Sequence, residues 1–136
     1  SIFKSFMSKV LKRCNCRFFL MTGNNIDELK IMDEIIESEY KEYCTPLNNF
    51  TIKEILPIIP NCQIAICNDS SFSHLSAGLG IKTIVLMVDT PLIYGSYNKN
   101  MYPILPEGET NVTHDTLGKD KINPEEIYNK FKKLLG

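Results

Sequence analysis

Asp69, Ser70, Ser71, Ser73 and His74 place a carboxylate, three hydroxyls and an imidazole within six consecutive residues. A short apolar run, Ile64 to Cys67, stops at Asn68 just before them, and a small-residue helical pattern begins just after. That order predicts a buried strand delivering polar groups to a helix N-terminus. Unpaired backbone N–H groups and the positive end of the helix dipole make such a place a natural anion site. Ser70, Ser71 and the adjacent N–H groups suit phosphate oxygens, and His74 lies one helical turn further on. Asp69 would compete with a phosphate for the same dipole and is better used on sugar hydroxyls or in ordering the loop. Nucleotide or phosphosugar binding follows as the expected chemistry.

Other readings of the same residues are weaker. A serine hydrolase needs a nucleophile on a strained Gly-x-Ser-x-Gly turn, and no glycines flank this segment. Triad members also come from separate loops, not from one turn of helix. Asp69 and His74 lack a third obvious metal ligand, and the other histidine, His114, falls in a loop of unknown position. The plainest alternative is structural: Asp69 or Ser70 caps the helix, and His74 is a satisfied, half-buried side chain. Capping, however, needs only one side chain, not five.

The elements that must position this cluster read as follows. Ile2, Phe3, Phe6, Val10 and Leu11 predict a helix over 2–13. Arg17 to Thr22 predicts a strand ending at the Gly23-Asn24-Asn25 turn, followed by a helix from Ile26 to about Glu39. Tyr40 to Thr45 reads as a short strand, with 46–49 as the loop after it. Thr51 and Glu54 form a capping box for a helix over 52–59, with Pro57 set to end or kink it. Strands are expected at 63–67 and 83–88, with a helix from about Phe72 to Leu79 between them, closed by Gly80. Residues 89–121 read as irregular, with a short strand at 102–105. Asn123, Pro124 and Glu126 then open a final helix stapled by Ile122 and Ile127. Continuous apolar strands alternating with helices predict an α/β fold around a parallel sheet. Ligands of such sheets sit beyond the strand C-termini, here the tips at 23–28, 68–74 and 89–97. At the first tip, Asp27 or Glu28 could hold a ribose diol, or could simply be acids favoured by the helix dipole.

Composition sets the outer limits. With 136 residues, 43% hydrophobic content, 23% charge and a net charge of −1, a single domain over 1–136 is expected, with no field to recruit nucleic acid. Cys14, Cys16, Cys44, Cys62 and Cys67 form no CxxC pair, which points to reduced thiols in a cytoplasmic protein. On that reading the Asn-x-Ser/Thr triplets at Asn49, Asn68 and Asn111 carry no glycan. No apolar stretch approaches the ~20 residues of a membrane span. The chain opens inside a helical pattern at Ser1-Ile2-Phe3, as if cut from something longer.

Two segments carry a resemblance. Thr51-Ile-Lys-Glu-Ile, and the run from Ile64 through Asn68-Asp-Ser-Ser-Phe-Ser-His-Leu to Leu86, resemble the heptosyltransferase family of glycosyltransferases. The strand-Gly-x-x-x-acid pattern at 17–27 and the Asn-Pro-Glu-Glu start of the last helix extend the likeness over most of the chain. It implies the donor-binding, C-terminal half of a GT-B enzyme, a Rossmann-like three-layer domain taking an ADP-heptose-like donor for lipopolysaccharide or surface-glycan synthesis. By position, Asp69, Ser70, Ser71 and His74 fall on the family's Asp-Ser/Thr-Gly-x-x-His donor motif. Asp27 falls on the acid that holds the ribose, and Phe50 on the apolar residue beside the adenine. Asp89-Thr90-Pro91 resembles the loop after the next strand, in altered order. The resemblance implies no metal and no cofactor. It puts the general base and the glycolipid or glycan acceptor site in a partner domain, with peripheral inner-membrane association of the full-length protein. The family's phosphate-binding lysine would lie before Ser1. Two positions depart from the motif: Ser71 replaces its glycine, adding a Cβ where backbone should approach the pyrophosphate, and Phe72 follows. Such departures leave room for a non-catalytic nucleotide-binding module, or for a related sugar-nucleotide epimerase or hydrolase.

Overall fold

The computed structural model describes residues 2–23, 25–87, 91–108 and 122–135. The expectations for Asn24, Asp89, Thr90, Asn111 and His114 lie outside them. The chain is α/β and divides into two compact units, Ser1–Leu56 and Pro57–Gly136. The parallel strands expected from the apolar runs are present. Among the described residues, however, they pair in two ladders, of two and three strands, instead of one continuous sheet.

In the first unit, helix α1 (Ile2–Leu11) precedes strand β1 (Phe18–Leu20), helix α2 (Ile26–Ile36), strand β2 (Cys44–Pro46) and the short helix α3 (Ile52–Ile55). Strands β1 and β2 run parallel, with Phe18 opposite Cys44 and Leu20 opposite Pro46, and α2 is the crossover between them. Pro46 was expected in a loop, but it closes the ladder as its last residue, where a missing N–H costs little. Leu47 then donates its N–H to the Leu20 carbonyl at 2.8 Å. Helix α2 stops short of Glu39 because Ser38 turns its backbone and hydroxyl onto the Ile35 carbonyl. The strand expected at 40–45 is split, with Lys41–Tyr43 forming a 3-10 turn ahead of β2. The Thr51–Glu54 capping box forms as read, but α3 ends at Ile55, four residues before Ile59. Pro57 explains the stop, since its ring would clash with the carbonyl of Lys53.

In the second unit, strands β3 (Ile64–Asn68), β4 (Lys82–Leu86) and β5 (Met101–Ile104) form a parallel sheet in that order. Helix α4 (Ser71–Gly78) crosses from β3 to β4, and helix α5 (Pro124–Leu135) packs on β4. Strand β4 is the centre: Thr83, Ile84, Val85 and Leu86 are all fully buried, as an uninterrupted apolar run in a two-sided parallel sheet must be. Ala77, Val85, Met87 and Met101 form a core cluster, with Leu92 and Leu105 packed against it. Gly80 adopts φ +87°, and the Gly80 and Ile81 N–H groups donate back to Ala77 and Ser76, ending α4 in a Schellman turn. Pro103 sits in β5, an outer strand of this ladder, where proline is tolerated. Asn123 caps α5 by accepting the Glu125 N–H at 2.9 Å, and Ile122 and Ile127 are both buried. No helix among the described residues is long and apolar enough to cross a membrane.

Candidate functional site

Strand β3 ends at Asn68 and α4 begins at Ser71, so only Asp69 and Ser70 separate them. Ser70 is the N-cap residue, in extended conformation. Its N–H is taken by the Ser73 hydroxyl at 3.2 Å, which in turn donates to the Ser70 carbonyl at 2.7 Å. Ser73 is fully buried and locks this turn; it is structural. Of the N–H groups expected at this tip, that of Ser70 is engaged within the turn. The N–H groups of Ser71 and Phe72, the first two residues of the helix, have no acceptor within it. Ser71 is exposed beside them.

His74 stands one turn along α4 and faces back over the tip. Its Nε2 lies 3.3 Å from Asp69 Oδ1, and its Nδ1 lies 2.6 Å from the Tyr97 hydroxyl. The two rings stack with centroids 5.6 Å apart and planes 20° apart. Asp69 is mostly buried, with 13% of its side chain exposed, and its Oδ1 has no aligned hydrogen-bond partner among the described residues. Its contact with His74 is thus an ion-pair approach and not a formed hydrogen bond. Asp69 also acts on the strand behind it. Burial, followed by the negative charge of Asp69, pushes the Cys67 thiol up to about 12. At neutral pH that cysteine is a protonated structural thiol with no nucleophilic role.

Tyr97 had no role in the sequence reading, although it closes the third strand tip marked there. Nothing in its spacing could have linked it to His74, 23 residues away. The link is made by the 3-10 turn Leu92–Gly95, which returns the chain over the core. A Cβ at Gly95 would collide with the Met87 sulfur and crowd Val85, so only glycine lets the turn sit this close to β4. Close seating of that turn is what brings Tyr97 to the imidazole.

Asp27 and Phe50 belong to the first unit. Asp27 is exposed in the first turn of α2, where its N–H donates to the capping Asn25 side chain at 2.8 Å. Glu28, its neighbour, reaches back to accept the Gly23 N–H at 2.7 Å, so this acid is committed to closing its own turn. Phe50 is a half-exposed ring ahead of α3, its N–H donated to the Leu47 carbonyl. The structure thus gathers Asp69, Ser70, Ser71 and His74 into one tip and adds Tyr97 to it. A groove of about 400 Å³ elsewhere on the second unit, between the end of β5 and α5, includes none of these residues.

Chemically, the tip offers helix N–H groups with no acceptor among the described residues, an exposed hydroxyl and an imidazole backed by a buried carboxylate. That set suits an oxyanion that acquires charge, such as a departing phosphate. No curated protein and no solved structure matches the chain. A family model described as glycosyltransferase family 9 (heptosyltransferase) matches residues 5–122, from the first helix through the whole of this tip, and the chain belongs to that family.

Proposed function

We propose that residues 1–136 are the donor-nucleotide-binding domain of an inverting, metal-independent, cytoplasmic glycosyltransferase, the C-terminal half of a GT-B enzyme. Its donor is an ADP-heptose-like nucleotide-diphospho-sugar, used in lipopolysaccharide or surface-glycan synthesis. The observation that carries this reading is the β3–α4 tip, where a helix N-terminus, an exposed Ser71 and the Asp69-backed His74 meet in a family of sugar transferases.

In the reaction, the bond between the anomeric carbon and the diphosphate breaks as the acceptor hydroxyl attacks from the opposite face. Negative charge builds on the leaving diphosphate. The N–H groups of Ser71 and Phe72 and the α4 dipole stabilise that charge, and they do so more strongly as it develops. Asp69, 3.3 Å from Nε2, orients the His74 ring. Asp27 would hold the ribose hydroxyls and Phe50 would lie beside the base. The general base, and the glycolipid or glycan acceptor, belong to a partner domain.

Titration of ¹⁵N-labelled chain with ADP, UDP and GDP tests the reading. Weak but saturable shifts at the amides of 69–74, and at those of Asp27 and Phe50, strongest with ADP, are expected. The chain alone should transfer no sugar. Absence of shifts with all three nucleotides, or shifts confined to another surface, overturns the proposal.

One observation favours a second reading. Ser71 places a Cβ at the motif position that the family fills with glycine, which fits a non-catalytic nucleotide-binding module. Ser71→Gly separates the two. A full-length enzyme whose transfer rate survives unchanged with either residue is a working transferase, whereas one active only with glycine marks the natural chain as a binding module.

A further inference from the structure

His74 Nδ1 is held on the Tyr97 hydroxyl at 2.6 Å, and its Nε2 faces Asp69 at 3.3 Å. An anion arriving on the Tyr97 side therefore meets the phenol ahead of Nδ1. What it can meet is the phenol. Tyr97 is exposed where His74 is half-buried, and its hydroxyl is the outer member of the row from carboxylate to imidazole to phenol. When the imidazole carries a proton on Nδ1, that N–H donates to Tyr97 Oη. The phenol then keeps its own proton for a third partner. A phenol that accepts from a cation is also a stronger donor, since each bond in such a row polarises the next.

Resting on the donor-site reading above, we propose that Tyr97 is the group of this cluster that touches the nucleoside diphosphate, donating its O–H to a phosphate oxygen, and that His74 and Asp69 act through it as positioning residues. Stacking of the two rings fixes the phenol's direction, and the glycine-dependent turn at Gly95 fixes its height above β4.

The test compares wild type and Tyr97→Phe in the whole chain, with ADP as the probe. Three readouts are needed: ADP affinity, thermal midpoint, and the ¹⁵N resonances of the His74 ring. Phenylalanine keeps the stacked ring and removes only the hydroxyl. A hydrogen bond to a charged group contributes enough that ADP should bind roughly tenfold more weakly. The midpoint without ADP should fall only slightly, by what one exposed hydrogen bond contributes, and the Nδ1 resonance should move because its partner is gone. Unchanged affinity, an unmoved Nδ1 resonance, or a loss of affinity accompanied by a large fall in the midpoint each overturns the assignment and leaves the donor-site reading intact. If the wild-type chain binds no ADP, UDP or GDP, the donor-site reading itself falls and takes this assignment with it.

Discussion

The two units each carry a strand that runs into a helix through a polar tip, and the tips are satisfied in opposite ways. At the first, the Glu28 carboxylate turns back onto the Gly23 N–H, so the turn consumes its own acid and its own donor. At the second, Asp69 lies toward His74, and among the described residues its buried Oδ1 has no aligned partner and the first helix donors have no acceptor. A tip that closes on itself contributes stability. One whose polar groups stay unspent holds them ready for a ligand, at some cost to the apo fold.

The thiols behind these tips give the largest contrast. Cys44, at the start of β2, is raised by burial but partly restored by Arg17, whereas Cys67 on β3 is raised by burial and by Asp69 to about 12. Three units above the ordinary value of 9.0 leave Cys67 on the order of a thousandfold poorer in thiolate than an unperturbed cysteine. Alkylation at pH 8 followed by mass spectrometry should label Cys44 well before Cys67, and Asp69→Asn should speed the labelling of Cys67. Equal rates would remove the contrast. The same shift fixes a pH dependence. Native Cys67 keeps its proton longer than the unfolded chain does. Stability should therefore fall as pH rises through the window from about 9 to about 12, with no loss from this group below it. Denaturant midpoints across that range measure it.

Ser71→Asp sharpens the difference in function. A carboxylate at the first helical position repels a diphosphate, and nucleotide affinity should drop by roughly a hundredfold, a loss of about 2.7 kcal/mol. It also complements the dipole, so thermal stability should hold or rise by about 0.3–1 kcal/mol. Loss of stability together with affinity would mean that the tip is only a helix cap.

Gly95→Ala attacks the scaffold of the second tip. Its Cβ must displace Met87 and press on Val85, both fully buried, at a cost of about 1–3 kcal/mol in denaturant melts. The His74 ring resonances should change with it, since Tyr97 rides on that turn. Smallest of all, Glu28→Gln weakens an exposed bond at the first tip and should cost less than about 1 kcal/mol, with thermal melts as the measure. A larger loss there would show that the first tip is the more tightly held of the two.

Much of this was readable from local chemistry. Thr51 with Glu54, Gly80, and Asn123 with Pro124 each lie where a helix must begin or end, because capping and left-handed turns depend on a few neighbouring residues. The run at 83–86 needed only its own apolarity to be the central strand. Element ends were less legible. Helix α2 loses its last turn to a serine hydroxyl, and Pro46 extends a ladder that its lack of an N–H argued against. Both outcomes depend on which partner lies alongside.

From the amino acids in order came the α/β character, the polar strand tip with Asp69, Ser70, Ser71 and His74, and the likeness to a sugar-transferring family. All of these are set by residues close in the chain, whose spacing alone decides strand, cap and helix. Folding in space decided that the parallel strands would pair as two ladders, that Ser73 would be consumed internally, and that Tyr97 would complete the imidazole's contacts. Those depend on how distant segments pack, here on one glycine that lets a turn lie flat against β4. A linear pattern carries no record of that approach.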